Sequence, residues 1–264
     1  MSFLFDLPLI LTGPAIIAVL VGFSMVSLSW FRKHRLPGLK FGHDGDFSAA
    51  MLTSIMVFYG LAAALTAVQV WEAYEKVKEV TEREASTLSV VYRYVSDYPE
   101  PYRGTLRESL RRYTDQIIHG AWPLQHVGKI PSEGVRIMEE FQRKLVSFEP
   151  TNEAQRILAF ETLASYSRLM EARRLRVNSV ERGLPVILWI VIVLGAFASL
   201  VSAFYFPVVD PHVHRLQVAL LAGFIGLVIF IILALDRPYR GDLGLKPTPY
   251  EIIYEQLMQP TSDH

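Results

Sequence analysis

Four stretches of the chain are apolar enough and long enough to cross a membrane. Residues 7–30, 49–70, 184–206 and 216–235 carry no charged side chain, and about 20 apolar residues in a helix span the roughly 30 Å hydrocarbon core of a bilayer. The first run follows the acidic Asp6 and is longer than the core of a signal peptide, so it indicates a retained anchor. The pattern predicts an all-α integral membrane protein with four transmembrane helices.

Between the second and third runs, charged positions alternate with apolar ones at helical spacing. Apolar residues three and four positions apart lie on one helix face. No Pro or Gly interrupts residues 61–98, so the second span is expected to continue unbroken into a charged helix. Further helices are expected over residues 102–119, 132–146 and 151–180, with Ser132 as a candidate cap. The two clearest apolar stripes are Val77, Val80, Leu88, Val91 and Val95, and then Leu106, Leu110, Tyr113 and Ile117.

These patterns divide the chain into four parts. A transmembrane hairpin (1–70) precedes a helical domain (71–183), a second hairpin (184–241) and a polar C-terminal tail (242–264) with one short helix at 249–258. Four spans put both termini and the helical domain on one side of the membrane. Basic residues near the span ends are more numerous on that side, which indicates the cytoplasm, although the basic loop at 32–47 opposes this assignment.

Composition narrows the functional classes. Hydrophobic residues make up 51% of the 264-residue chain, the net charge is zero and cysteine is absent, so nothing favours nucleic-acid binding, disulfides or cysteine catalysis. The sequence contains no phosphate-binding loop, nucleophile elbow or metalloprotease motif. Residues 43–46 and 210–214 include His and Asp without an established metal-site spacing. We therefore expect no enzyme, metal or cofactor.

Several motifs follow one another over nearly the whole chain: Trp71-Glu72-Ala73-Tyr74, Glu82-Arg83-Glu84-Ala85, Tyr92-Arg93, Ala121-Trp122-Pro123, Glu171-Ala172-Arg173-Arg174, Leu184-Pro185 with Trp189, and Leu235-Asp236-Arg237-Pro238-Tyr239-Arg240-Gly241. Together these motifs resemble the bestrophin-like domain family of bacterial membrane proteins. The relation to bestrophins implies an anion channel in the bacterial inner membrane. It also implies a homo-oligomer, a pentamer, whose second spans line a central pore. The implied partners are further copies of the chain, membrane lipids and permeant inorganic anions.

The second span supplies the candidate pore-lining residues. They descend at spacings of three or four, so that bulky apolar groups would form a constriction above small and polar ones. The stripe could equally pack against the other spans, since small residues favour close helix contact. The candidates are Met51, Ile55, Phe58, Tyr59, Ala62, Thr66 and Gln69.

Charged residues beside the spans allow two interpretations. Arg173, Arg174 and Arg176 could attract anions to a vestibule, or they could pair with the glutamates of residues 72–84. Asp236, Arg237 and Arg240 would form a structural clamp at the end of the fourth span; Asp236 and Arg240 could pair on a helix unless Pro238 prevents it. The alternative to a channel is a non-conducting membrane scaffold or sensor that acts through its helical domain.

Overall fold

Within the residues that the structure describes, every regular secondary-structure element is a helix. A computed structural model describes residues 9–34, 45–180, 183–205, 210–241 and 243–259. Residues 35–44, which include His43 and Asp44 of the sequence-predicted basic loop, and residues 206–209 lie outside the described residues. The α-helices are α1 (Leu9–His34), α2 (Gly45–Ser96), α3 (Tyr102–Asp115), α4 (Trp122–His126), α5 (Glu133–Val146), α6 (Glu153–Ser179), α7 (Val186–Phe204), α8 (Pro211–Leu235) and α9 (Thr248–Ile253).

Four of these helices confirm the apolar runs expected from hydropathy. Helices α1, α2, α7 and α8 are each long and apolar enough to cross a membrane. Helix α2 continues from its apolar half into its charged half without a break, as the lack of Pro and Gly predicted. Helix α8 begins earlier than expected, because Asp210 caps it and Pro211 occupies its first turn.

The chain forms two compact units. One holds the described residues up to Tyr74, together with Gly183–Arg237 and Gly241–Leu243. We call it the apolar unit, since it contains the apolar helices. The other, the helical unit, holds the described residues of Glu75–Arg182, Pro238–Arg240 and Gly244 onward. The assignment of residues 71–183 to the cytosol stays a prediction.

In the apolar unit, α1 packs mainly along α8. The two helices approach closely at Gly226, where a Cβ atom would lie 3.2 Å from the Cα of Ile17. Small residues allow such close contact between apolar helices, where dispersion forces replace the hydrophobic effect. The buried cluster that joins α1, α7 and α8 consists of Leu28, Phe31, Ala196, Leu200, Ala203, Phe204, Val218, Ala222 and Ile225.

In the helical unit, the predicted apolar stripes form the core. Both stripes, on α2 and on α3 with the turn that follows it, are at most 7% exposed. All stripe residues except Val80 belong to one buried cluster with Phe141 of α5 and Leu169 of α6, which are completely buried. The helical periodicity of the sequence therefore identified the buried faces correctly.

The predicted end of the helix at residues 102–119 was wrong. Instead of stopping at Gly120, the backbone passes through a π-helical segment, Gln116–Ala121, into α4. Pro123 is tolerated because it lies in the first turn of α4, where its missing N–H has no intrahelical partner to lose. Ser132 precedes α5 but makes no capping hydrogen bond through its side chain, whereas Asn152 caps α6 by accepting from the Gln155 N–H.

The C-terminal segment, predicted as a polar tail, contributes to the core of the helical unit. Tyr250 and Met258 are almost fully buried, and the Trp122 indole donates to the Leu245 carbonyl at 2.8 Å. Arg240 donates to the Val127 carbonyl at 3.1 Å. Its guanidinium occupies the space where a side chain at Gly128 would begin, and Gly128 has a φ of +74°.

We expect Gly128→Ala to destabilise the helical unit by about 1–2 kcal/mol, because a Cβ is unfavourable at positive φ and would displace Arg240. The measurement is denaturant unfolding of the detergent-purified protein, followed by tryptophan fluorescence. Gly104→Ala is the matched control, since Gly104 is an exposed residue of α3; its stability should stay level or rise. Equal effects of the two substitutions would contradict the role assigned to Gly128.

Candidate pore helix and buried charge pair

The apolar half of α2 has one face packed within its own protomer and one face left uncovered. Ala63, Thr66 and Val70 are at most 5% exposed. Val70 packs with Ile192 of α7 and Ile232 of α8. The opposite face is open along the helix, since no described element of the apolar unit covers it.

The predicted pore-lining residues fall on both faces. Met51 is 48% exposed and Phe58 is 73% exposed, and Gln69 is also exposed. Ile55, Tyr59 and Ala62 are partly buried, and Thr66 is buried. The predicted stripe therefore lies across the border between the packed and the open face.

Tyr59 and Thr66 have specific contacts inside the protomer. The Tyr59 ring packs on Gly195 of α7 so closely that a Cβ there would lie 2.6 Å from its Cδ2. The Thr66 hydroxyl donates to the Ala62 carbonyl one turn earlier, at 2.8 Å. The Tyr59 contact joins α2 to α7, whereas the Thr66 hydrogen bond satisfies a buried hydroxyl within α2 itself.

Three further apolar residues, which the predicted pore-lining stripe did not include, lie on the open face. Leu61, Leu65 and Val68 are 57%, 63% and 54% exposed. Residues 49–70 carry no charged side chain, so no charged position marks which face is uncovered. The packing of α7 and α8 against α2 determines which face is uncovered, and such tertiary contacts cannot be predicted from the local pattern.

Asp236 connects the end of α8 with the start of α7. It is 8% exposed and accepts a hydrogen bond from the Leu184 N–H, and its Oδ2 lies 3.9 Å from the Nε of Arg237. Since α8 ends at Leu235, residues 236–240 are not helical, and Asp236 and Arg240 lack the helical spacing that would pair them. The clamp role of Asp236, Arg237 and Arg240 stays a prediction.

The most deeply buried charges are Glu84 of α2 and Arg176 of α6. They are 0% and 2% exposed, and the guanidinium binds both carboxylate oxygens, with 3.3 Å between Nη2 and Oε1. Gln125 accepts from Arg176 Nη1 at 3.1 Å, and the Tyr113 hydroxyl donates to Glu84 Oε1 at 2.7 Å. The rings of Trp122 and Tyr250 lie about 6 Å from the guanidinium carbon, within the range of cation–π attraction.

This environment fixes the protonation states. Burial disfavours the charged guanidinium, but the negative charge of Glu84 more than offsets this and holds the pKa of Arg176 above its usual range. Burial, and then the charge of Glu84, raise the pKa of the Tyr113 hydroxyl well above its ordinary value. Arg176 therefore stays charged and Tyr113 stays neutral across the physiological pH range.

The remaining basic candidates and glutamates have different surroundings. Arg174 is exposed and Arg173 is partly buried. Glu75 and Glu79 pair with Lys78 and Lys76, each three residues away on α2. Of the three arginines, Arg176 is the one whose side chain is held in a buried ion pair.

The region of mixed His and Asp residues at 210–214 is engaged in structural contacts. Asp210 accepts from the His212 N–H at 2.7 Å, and the buried His214 ring lies 3.0 Å from the Ala203 carbonyl through its Nε2. Within the described ranges, no group of three or more potential metal ligands occurs.

We expect Arg176→Met to lower the free energy of unfolding of the helical unit by about 3–5 kcal/mol, because it leaves the Glu84 carboxylate buried without its partner. Urea unfolding in detergent, followed by the fluorescence of nearby Trp122, measures this change. Arg174→Met is the control for losing a basic side chain of α6 and should change stability by less than about 0.5 kcal/mol.

The double variant Glu84→Gln with Arg176→Met separates loss of the pair from loss of packing. It removes the unpaired charge, so it should be destabilised less than the sum of the two single variants. Additive effects would mean that the two side chains stabilise the unit independently.

Comparison with known proteins identifies the family. The family model of the bestrophin-like domain matches residues 18–250, which is most of the chain. Searches of curated proteins and of solved structures found no match. The matched region includes α2, α7 and α8, the part of α1 from residue 18 onward, and both members of the buried ion pair. The chain therefore belongs to the bestrophin-like family, as its sequence motifs indicated.

Proposed function

We propose that the protein is a homo-oligomeric ion channel that conducts anions passively through a central pore lined by α2. The observation that carries this proposal is the uncovered apolar face of α2, which the other apolar helices of the protomer leave open. A helix that lines a pore shared between subunits must present one face that its own protomer does not cover. Membership in the bestrophin-like family supports an ion-channel role and an oligomer.

The pore-facing stripe we propose combines three sequence candidates with one residue of the open face. Met51, Phe58, Leu65 and Gln69 follow one another at spacings of seven, seven and four residues, so they share a helix face. Copies of Phe58 and Leu65 around an axis would form an apolar constriction, and such constrictions gate conduction by excluding water. Copies of Gln69 would add a polar ring whose amide N–H groups can donate to an anion.

The proposed assembly is a pentamer in the bacterial inner membrane, surrounded by lipids, with both termini and the helical unit in the cytoplasm. In this orientation the exposed Arg174 side chains would face the aqueous side. A repeated basic residue there would raise the local anion concentration. The buried Arg176 contributes to the stability of the helical unit instead.

A second candidate is a membrane scaffold that binds a partner through its helical unit. A specific observation favours it: Ile157, Phe160 and Leu163 of α6 are 57%, 69% and 42% exposed. An apolar patch on a polar helical unit marks a protein contact. In the channel, neighbouring subunits would cover it; in the scaffold, another protein would.

The first test is chloride flux in liposomes for the wild type and Phe58→Ala. Loss of the ring should widen the apolar constriction and raise chloride flux several-fold at equal amounts of inserted protein. Phe224→Ala is the matched control, since Phe224 of α8 is 66% exposed and Phe58 is 73% exposed; its flux should equal that of the wild type. Absence of flux from a verified oligomer in every variant would favour the scaffold.

A second test concerns selectivity. Gln69→Glu would place a ring of negative charge in the pore and should lower the ratio of chloride to potassium permeability, as acidic rings favour cations. Gln217→Glu makes the same chemical change at an exposed position of α8 and should leave the ratio unchanged. Reversal potentials in planar bilayers under a potassium chloride gradient measure the ratio. An unchanged ratio in Gln69→Glu would remove residue 69 from the pore.

A further inference from the structure

An apolar groove runs along the apolar unit between α1 and α7. Its first part has a volume of about 570 Å³ and is lined by residues that include Ala15, Val19, Phe23, Val193 and Phe197. A second cleft of about 380 Å³ shares Phe23, Phe197 and Leu200 with the first and continues to Trp30 and Tyr205. Almost the whole lining surface is apolar.

The length of the second cleft suits an acyl chain. Helix α1 rises by roughly 10 Å between Phe23 and Trp30, which both line this cleft. The length of this cleft is comparable to one leaflet of the hydrocarbon core, which is about 15 Å deep.

The end of the groove has the chemistry of the membrane interface. Trp30 is 58% exposed and Tyr205 is 44% exposed, and these amphipathic rings are typical of the level of lipid headgroups. The Tyr205 ring packs edge-on against the Phe31 ring, with 4.6 Å between the ring centroids. This contact joins α1 and α7 at the end of the groove. An acyl chain in the second cleft would therefore have its headgroup just beyond Trp30.

Basic side chains follow at that position. Lys33 and His34 come three and four residues after Trp30, so they continue the helix face that lines the groove. The His34 ring stacks on Trp30 at 5.3 Å. Lys33 is exposed, and within the described part of the chain its ammonium group has no recorded ion-pair partner. Its positive charge favours a headgroup of net negative charge over a zwitterionic headgroup, whose own cation offsets the phosphate charge.

We propose that this groove binds an anionic phospholipid of the bilayer, with one acyl chain against α1 and α7 and the phosphate beside Lys33. The site lies away from the proposed pore stripe of α2, and the inference does not depend on conduction. Its readout is bound lipid, so a protein that conducts no ions but binds the lipid would reject the proposed function and still support this site.

The experiment is native mass spectrometry of the delipidated full-length protein, titrated in detergent with phosphatidylglycerol or with phosphatidylcholine. The wild type should retain phosphatidylglycerol preferentially. Lys33→Gln should weaken phosphatidylglycerol binding about fivefold, since a basic residue near an anionic headgroup contributes about 1 kcal/mol, and should weaken phosphatidylcholine binding less, because the choline cation offsets the phosphate charge. Arg215→Gln, an exposed basic residue at the start of α8, is the matched control and should behave as the wild type.

A second variant tests the groove itself. Val19→Trp should fill the first part and reduce binding of both lipids, whereas Val213→Trp, at an exposed position of α8 outside the groove, should not. Circular dichroism and size-exclusion chromatography verify that the variants fold and assemble. Equal phosphatidylglycerol binding by the wild type and Lys33→Gln would overturn the proposal. The proposal would also be overturned if Val19→Trp dissociated the oligomer but left lipid binding intact. That result would mean that a second copy of the chain covers the groove.

Discussion

The helical unit depends on one buried ion pair. Transfer of a carboxylate and a guanidinium into a protein core is costly, and their attraction offsets that cost only if the remaining polar atoms are also satisfied. Glu84 and Arg176 meet this condition because Tyr113 and Gln125 complete their hydrogen bonds. Each of these side chains comes from a different segment of the chain. A shift of α2 against α6 would leave a charge unpaired, so the pair fixes their register more strictly than apolar packing can.

The apolar unit is stabilised by close packing between its helices. In a membrane, apolar contacts gain no hydrophobic free energy, so close packing of small residues becomes the main directional constraint. Gly226 lets α1 approach α8, and Gly195 receives the ring of Tyr59 from α2. These contacts determine which side of α2 is packed within the protomer. The uncovered side, with Phe58 and Leu65, is a consequence of that packing and is the basis of the proposed pore.

These two kinds of constraint explain what the sequence could predict. Charged positions on the second half of α2 mark its solvent side, so the buried stripe that includes Leu88 and Val95 was predictable from periodicity. Residues 49–70 have no charged positions to mark a solvent side. The predicted pore stripe therefore combined the buried Thr66 with the exposed Phe58. The π-helical segment at Gln116–Ala121 was also missed, since Gly120 and Pro123 ordinarily end a helix. The pairing of Arg176 was one of two interpretations, and only tertiary contacts select Glu84 from the nearby glutamates.

Apolar side chains of this chain form a core, line a groove and cover an open helix face. The residues next to them distinguish these three environments. Ile192 and Ile232 pack against Val70, and all three are at most 3% exposed, which identifies core. Around the groove of α1 and α7, the apolar wall ends at Trp30 with Lys33 beyond it, an order that matches an acyl chain followed by a charged headgroup. On α2, the exposed Phe58 is followed on the same face by the uncharged but polar Gln69. A permeating anion must give up water at an apolar ring and then needs a donor, whereas a lipid chain needs no donor at that depth. This difference in sequence order along one helix face is why we assign the two exposed apolar surfaces to different ligands.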